Sequence, residues 1–348
     1  MDRRLLALTL ALVAACSRGD ASQSANGKAA PASGNTTVTD SSAGNVAEAT
    51  AASATPTATA APATGALPAN LQGKIPVLEY HVIGGEKNSL YSRTAASYRA
   101  DLEEAYKLGY RPITIAQLLD KDFRDVPAGM SPVVVVYDDA SDSQFRYVEK
   151  NGKLEIDPTS GLGIWLDFAK THPGWKNRAV YCMLNGGAAG HNFFGDNPKF
   201  GGQKKEWRHQ KVKWLADNGF ELCSHTLWHA KLNKYPDAVV QEQIVRNAMG
   251  IDSAVPGYKI RTLALPYGLW PKNRPLAWQG SWTDPKTGKT HSYKFDAVLE
   301  VAGGPTKSPY DPAFNPKSIN RIEAIGDDIR TQLNKLATTK TRLVVGAK

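Results

Sequence analysis

The sequence predicts an α/β domain with a mostly parallel sheet, on three observations. Short apolar or β-branched runs alternate with helical patterns along most of the chain. No long-period repeat competes with that alternation. The run Val133-Val134-Val135-Val136-Tyr137 is apolar on both faces, as a strand buried on both sides of a parallel sheet must be.

The elements follow in order. Residues 75–82 read as the first strand. Residues 94–108 read as a helix with Tyr98, Leu102, Ala105 and Tyr106 on one face, stopped by Gly109. A short helix over 116–119 has Thr114 available as its cap, and the strand 133–137 follows. Residues 160–171 form a helix carrying Leu162, Trp165, Leu166 and Phe168, and 178–184 a strand. The helix 206–218 ends at Gly219, which supplies the left-handed cap. A strand over 220–223, a helix over 236–249 and a strand over 260–265 come next. The last strands are 296–301 and 319–323, and a helix over 327–336 closes the pattern. The stretches 185–205 and 279–293 are Gly-rich or polar and read as loops at the mouth of a site.

The amino-terminal seventy residues do not fit this pattern. Arg3 and Arg4 precede the apolar run from Leu5 to Val13, which is too short to span a bilayer and reads as a targeting segment. Val13-Ala14-Ala15-Cys16 resembles the lipobox of bacterial lipoproteins, with Cys16 as the acylated residue; an ordinary secretory signal cut near Ala15 is the other reading. The resemblance implies a periplasmic protein anchored to a membrane through Cys16. Ser17, where an inner-membrane retention signal would have Asp, points to the outer membrane. Residues 17–70 contain no aromatic side chain and are rich in Ala, Ser and Thr, so they read as a disordered tether reaching roughly 40 Å. The folded domain is expected over 71–348, as a monomer.

Charge divides the chain the same way. Four basic and four acidic residues cancel within the first seventy, so the formal net charge of +9 belongs to the folded part. A basic domain favours acidic partners, but no basic run is interleaved with aromatics, which argues against nucleic acid. Beyond Cys16, Cys182 and Cys223 fall in predicted strands and are read as two buried free thiols in preference to a disulfide.

Candidate chemistry lies where two apolar runs end. Asp138 and Asp139 close one strand; His225 and His229 follow another, and four-residue spacing would bring both imidazoles to one side of a helical turn. Strand ends converge on one face of a parallel α/β fold. Two imidazoles and one carboxylate suit a metal with open coordination positions, and the second carboxylate is then free to act as a general base.

These residues resemble the polysaccharide deacetylases, carbohydrate esterase family four. The matching segments are Ile75-Pro76-Val77-Leu78-Glu79-Tyr80-His81, Val136-Tyr137-Asp138-Asp139, His225-Thr226-Leu227-Trp228-His229 and Leu265-Pro266-Tyr267-Gly268. The resemblance implies a distorted (β/α) barrel and metal-dependent removal of acetyl groups from an N-acetylated glycan. It implies Asp138 as general base, Asp139, His225 and His229 as ligands of a divalent metal, zinc first among them, and the Tyr267 backbone N–H as an oxyanion donor. Pro266, Trp228 and Trp270 are assigned to substrate binding, with Trp282 a further loop tryptophan near the same motif.

Three features depart from the family. Ala140 stands where Gly usually follows the two aspartates. Ala264 stands where an Arg orients the base, leaving Arg261 or Arg321 as substitutes. The motif that supplies a general-acid histidine is not evident in residues 318–322, leaving His81, His191 or His291. A glycan-binding lipoprotein with an impaired site and an O-acetyl esterase are the rival readings.

Overall fold

The computed structural model describes residues 67–188, 191–199 and 201–347. The targeting segment, Cys16 and most of the tether lie outside the described residues.

Seven parallel strands form the centre: β1 (Val77–Tyr80), β2 (Ser131–Asp138), β3 (Val180–Met183), β4 (Glu221–Ser224), β5 (Thr262–Ala264), β6 (Ala297–Gly303) and β7 (Ile319–Glu323). Each pairs with its sequence neighbour from β2 to β7, except that β1 pairs with both β7 and β2, which closes the sheet into a barrel. Tyr110–Pro112 adds an outer strand along the first residues of β2. Among the described residues five α-helices lie between the strands and a sixth follows β7: α1 (Ala95–Lys107), α2 (Ile115–Leu119), α3 (Gly161–Thr171), α4 (Arg208–Asp217), α5 (Asp237–Ala254) and α6 (Asp328–Thr338). Thr94 caps α1, Ser160 caps α3, and Thr114 with Gln117 forms a capping box on α2.

Strand alternation decides what faces the barrel axis. Val77, Val134, Val136, Val180, Ala264 and Leu299 belong to one apolar cluster, while their neighbours Leu78, Val135, Tyr137 and Tyr181 pack with α1, α3 and α4 in another. On the inward set the character changes toward the carboxyl ends. Val77 is followed two residues on by Glu79, Val136 by Asp138, Cys223 by His225 and Ile319 by Arg321. The apolar plug is thus topped by a layer of buried polar groups.

Two expectations need correction. Cys182 and Cys223 are a disulfide, not free thiols. They face each other in register on β3 and β4 with Cα atoms 4.1 Å apart, so equal parity puts both side chains on one face. The stretch 279–293 is largely an antiparallel hairpin, Gln279–Thr283 with Thr290–Lys294, whose Tyr293 and Trp282 pack in the cluster that includes Val240 and Ile244 of α5. A second hairpin, Tyr147–Lys150 with Lys153–Ile156, precedes α3.

The segment between β3 and α4 is held by a buried cation. Lys211 of α4 is fully buried and donates to Phe194 O at 2.6 Å and Gln203 Oε1 at 2.7 Å; Gln203 in turn exchanges hydrogen bonds with the Tyr147 backbone. Burial pushes the Lys211 ammonium down to about 7. Between that value and the ordinary lysine range the unfolded chain binds the extra proton, so stability rises with pH there. Between pH 7 and 9.5 the native protein should gain roughly 3 kcal/mol that Lys211→Met does not. Urea unfolding of both proteins at the two pH values measures the difference; equal pH dependence would refute the assignment.

Candidate active site

Three turns at the carboxyl ends of β2, β4 and β5 build the site, and all three are strained. Asp139, Ala140, Thr226, His229 and Tyr267 have φ of 77°, 50°, 68°, 61° and 57°. They are half of the ten non-glycine residues with positive φ among the described residues, a concentration typical of functional turns. The φ of Ala140 accounts for the glycine usual at that place in the resembling family. Residues 225–230 are not helical, contrary to expectation. The two left-handed residues, Thr226 and His229, fold the segment back so that the imidazoles meet, with ring centroids 4.7 Å apart.

Asp139, His225 and His229 converge on one point. Asp139 Oδ1 lies 3.3 Å from His225 Nε2 and 3.5 Å from His229 Nε2. His225 Nδ1 donates to the Ala264 carbonyl at 2.9 Å, which fixes its proton there and turns the Nε2 lone pair toward the carboxylate. Asp139 Oδ1 and His225 Nε2 are both buried without a hydrogen bond. Two such lone-pair atoms facing each other repel unless positive charge sits between them, so the donor set fits a divalent cation. Burial would raise the Asp139 carboxyl, but the closeness of His225, and then of His81 and His229, holds it well below the usual range. Burial lowers His225, and Asp138 and Asp139 more than reverse that. Burial and the neighbouring His225 push His229 down to about 4.

Asp138 occupies the next position on the axis and is paired differently. Arg321 Nη1 lies 2.9 Å from each of its oxygens, and both residues are buried. Burial favours the neutral acid, yet Arg321 and then His225 keep Asp138 below the ordinary carboxylate range, hence ionised. Arg321 therefore fills the place of the missing arginine. Arg261 instead pairs with Asp120 and Asp296. Arg321 Nη2 also lies 3.1 Å from Glu79 Oε1. Burial pushes Glu79 well above the usual range despite Arg321.

The three candidate histidines separate clearly. His81 and His191 line the cavity of about 350 Å³ that also exposes Asp138, Asp139, His225, His229 and Tyr267. His291 sits on the 290–294 hairpin strand opposite Trp282, in a different groove. Buried Gln144 donates at 2.8 Å to the His81 carbonyl and also bonds the Asp138 carbonyl, tying the ends of β1 and β2. Burial lowers His81, opposed by Asp138 and Asp139.

Among residues assigned to substrate, Tyr267 is 48 % exposed with its ring 4.2 Å from that of His229. Its backbone N–H takes no part in the two hydrogen bonds of its turn, Gly268 N–H to Leu265 O and Leu269 N–H to Pro266 O. Pro266 is buried at the start of that turn. Trp228 is exposed next to His229 but does not line the cavity. Trp270 packs beside Trp278 and Trp282, donates to Glu300 and carries Arg274 against its ring, away from the cavity. The sequence reading assigned no role to Glu79 or to Tyr91, which lines the cavity. A carboxylate inside the apolar run of β1 was the available signal for Glu79.

Residues 177–278 match the family model described as Polysaccharide deacetylase. That segment carries His225, His229, Pro266 and Tyr267, while Asp138 and Asp139 precede it. The structure of the Streptococcus pyogenes deacetylase PplD in complex with acetate is similar to this chain at 15 % identity and a TM-score of 0.51, covering 78 % of this chain and 99 % of its own. BA0330 from Bacillus anthracis is similar at 16 % identity and a TM-score of 0.51, covering 75 % of this chain and 69 % of its own. No curated protein matches the chain. The fold is the distorted (β/α) barrel of the polysaccharide deacetylases, as the sequence led us to expect.

Proposed function

We infer that the protein is a metal-dependent hydrolase that removes N-acetyl groups from a cell-envelope or extracellular polysaccharide. One observation carries this reading: an arginine-paired Asp138 adjoins the converging Asp139, His225 and His229. Asp139, His225 and His229 would hold the ion, and two imidazoles with one carboxylate suit zinc. A bound ion polarises the acetamide carbonyl and eases deprotonation of the attacking water.

Asp138 accepts the proton released as water adds to the carbonyl, and Arg321 keeps it ionised and oriented for that task. The Tyr267 N–H stabilises the developing oxyanion. His81, on the cavity wall, delivers a proton to the departing nitrogen, so that acetate and a free amine leave. In this reading Arg321 and His81 take the places of the two groups whose apparent loss favoured an impaired, glycan-binding protein. The Cys182–Cys223 disulfide accords with an oxidising compartment, and with a periplasmic protein anchored through Cys16.

Acetate release by the zinc-loaded protein from N-acetylglucosamine oligomers, peptidoglycan and O-acetylated xylan tests the reading. Release from an N-acetylated glycan is expected; release from xylan alone would make the protein an O-acetyl esterase.

A further inference from the structure

Two exposed tyrosines line the cavity, and they are not equivalent. Tyr267 has its ring against His229 at 4.2 Å and the Lys231 ammonium 5.2 Å over it. Tyr91, 54 % exposed, meets the His81 ring in an edge contact, with centroids 5.1 Å apart and planes at 74°. It therefore offers exposed aromatic surface to the cavity beside His81. An aromatic ring left this exposed retains apolar surface that a ligand can cover.

The loop that presents Tyr91 is fastened on both sides. Val82 N–H donates to Tyr91 O at 3.0 Å and Ser89 N–H to Ser92 O at 2.8 Å. Asn88 accepts from Thr94 N–H at 2.9 Å and donates to Ser97 Oγ at 2.8 Å, and the next residue but one, Arg93, is buried in a pair with Asp101. A ring held in place by such bonds loses little freedom when a ligand covers it.

We propose that Tyr91 is a specificity-determining residue whose ring stacks on the apolar C–H face of a pyranose in the bound glycan, so that affinity depends on sugar contacts beyond the acetamide. The assignment rests on the deacetylase reading. It explains why a hydrophobic side chain stays exposed at the mouth of a polar site, and it requires the ring but not the hydroxyl.

Steady-state acetate release from the N-acetylglucosamine tetramer by the full-length zinc-loaded protein tests it. Tyr91→Ala should raise KM about tenfold with kcat little changed, whereas Tyr91→Phe and Tyr91→Trp should keep KM near the native value. A merely structural role would lower kcat or the melting temperature in Tyr91→Ala instead. Native turnover with KM unmoved in Tyr91→Ala, or KM raised equally in Tyr91→Phe, would overturn the stacking role and leave the deacetylase reading intact. No acetate from any N-acetylated glycan with the native protein would overturn both.

Discussion

Asp138→Asn is expected to cut acetate release by about a thousandfold while leaving metal content unchanged. A positioned general base contributes on the order of 10²–10⁴ in rate, and Asn keeps the shape of Asp without a basic oxygen. The metal should remain, because Asp139, His225 and His229 are untouched. The fold should survive for a reason particular to this site. Burial raises Glu79, Arg321 pulls the other way, and the Asp138 charge raises it further. Removing the Asp138 charge lets Glu79 ionise and take over Arg321, so the cation is not left alone in the barrel. Initial rates with metal analysis of the purified variant check the prediction. Unchanged turnover would remove Asp138 from the role of base.

Arg321→Met should act on stability and on pH dependence together. It leaves Asp138 and Glu79 buried side by side with no cation, and breaking a buried pair from one side costs about 3–5 kcal/mol. Arg321 is the first of the charges that lower Asp138, so its removal raises that group. The base works only when ionised; the acid limb of the kcat/KM profile must therefore move to higher pH. Denaturant unfolding and a pH–rate profile measure the two effects. An unmoved acid limb would mean that Arg321 does not tune the base.

Much of the site was legible because its residues end strongly apolar runs. Val133 to Tyr137 could only be a buried strand, and the acids that close it had to emerge at a barrel end. The pairing of Arg321 with Asp138 was less accessible, since the two are 183 residues apart and meet only when β7 and β2 both flank β1. Parity nevertheless carried the information: Arg321 is two residues beyond inward Ile319, as Asp138 is beyond Val136. The disulfide needed register as well as parity, and neither is local to Cys182 or Cys223. The geometry of His225 and His229 was misjudged because four-residue spacing also fits a turn with two left-handed residues. The hairpin before α3 had its signal in Asn151-Gly152, both at positive φ, the residues that a tight reversal favours. The hold of Lys211 on the 185–204 segment had none, because nothing in a helical lysine's neighbours announces that a distant glutamine and carbonyl will bury it.

The most direct test of the account is acetate release from N-acetylglucosamine oligomers by chelator-treated protein, before and after one equivalent of zinc. No release before and restored release at one equivalent is the predicted result. Equal release in both states, or none from any N-acetylated glycan although one equivalent of zinc is bound, would contradict it.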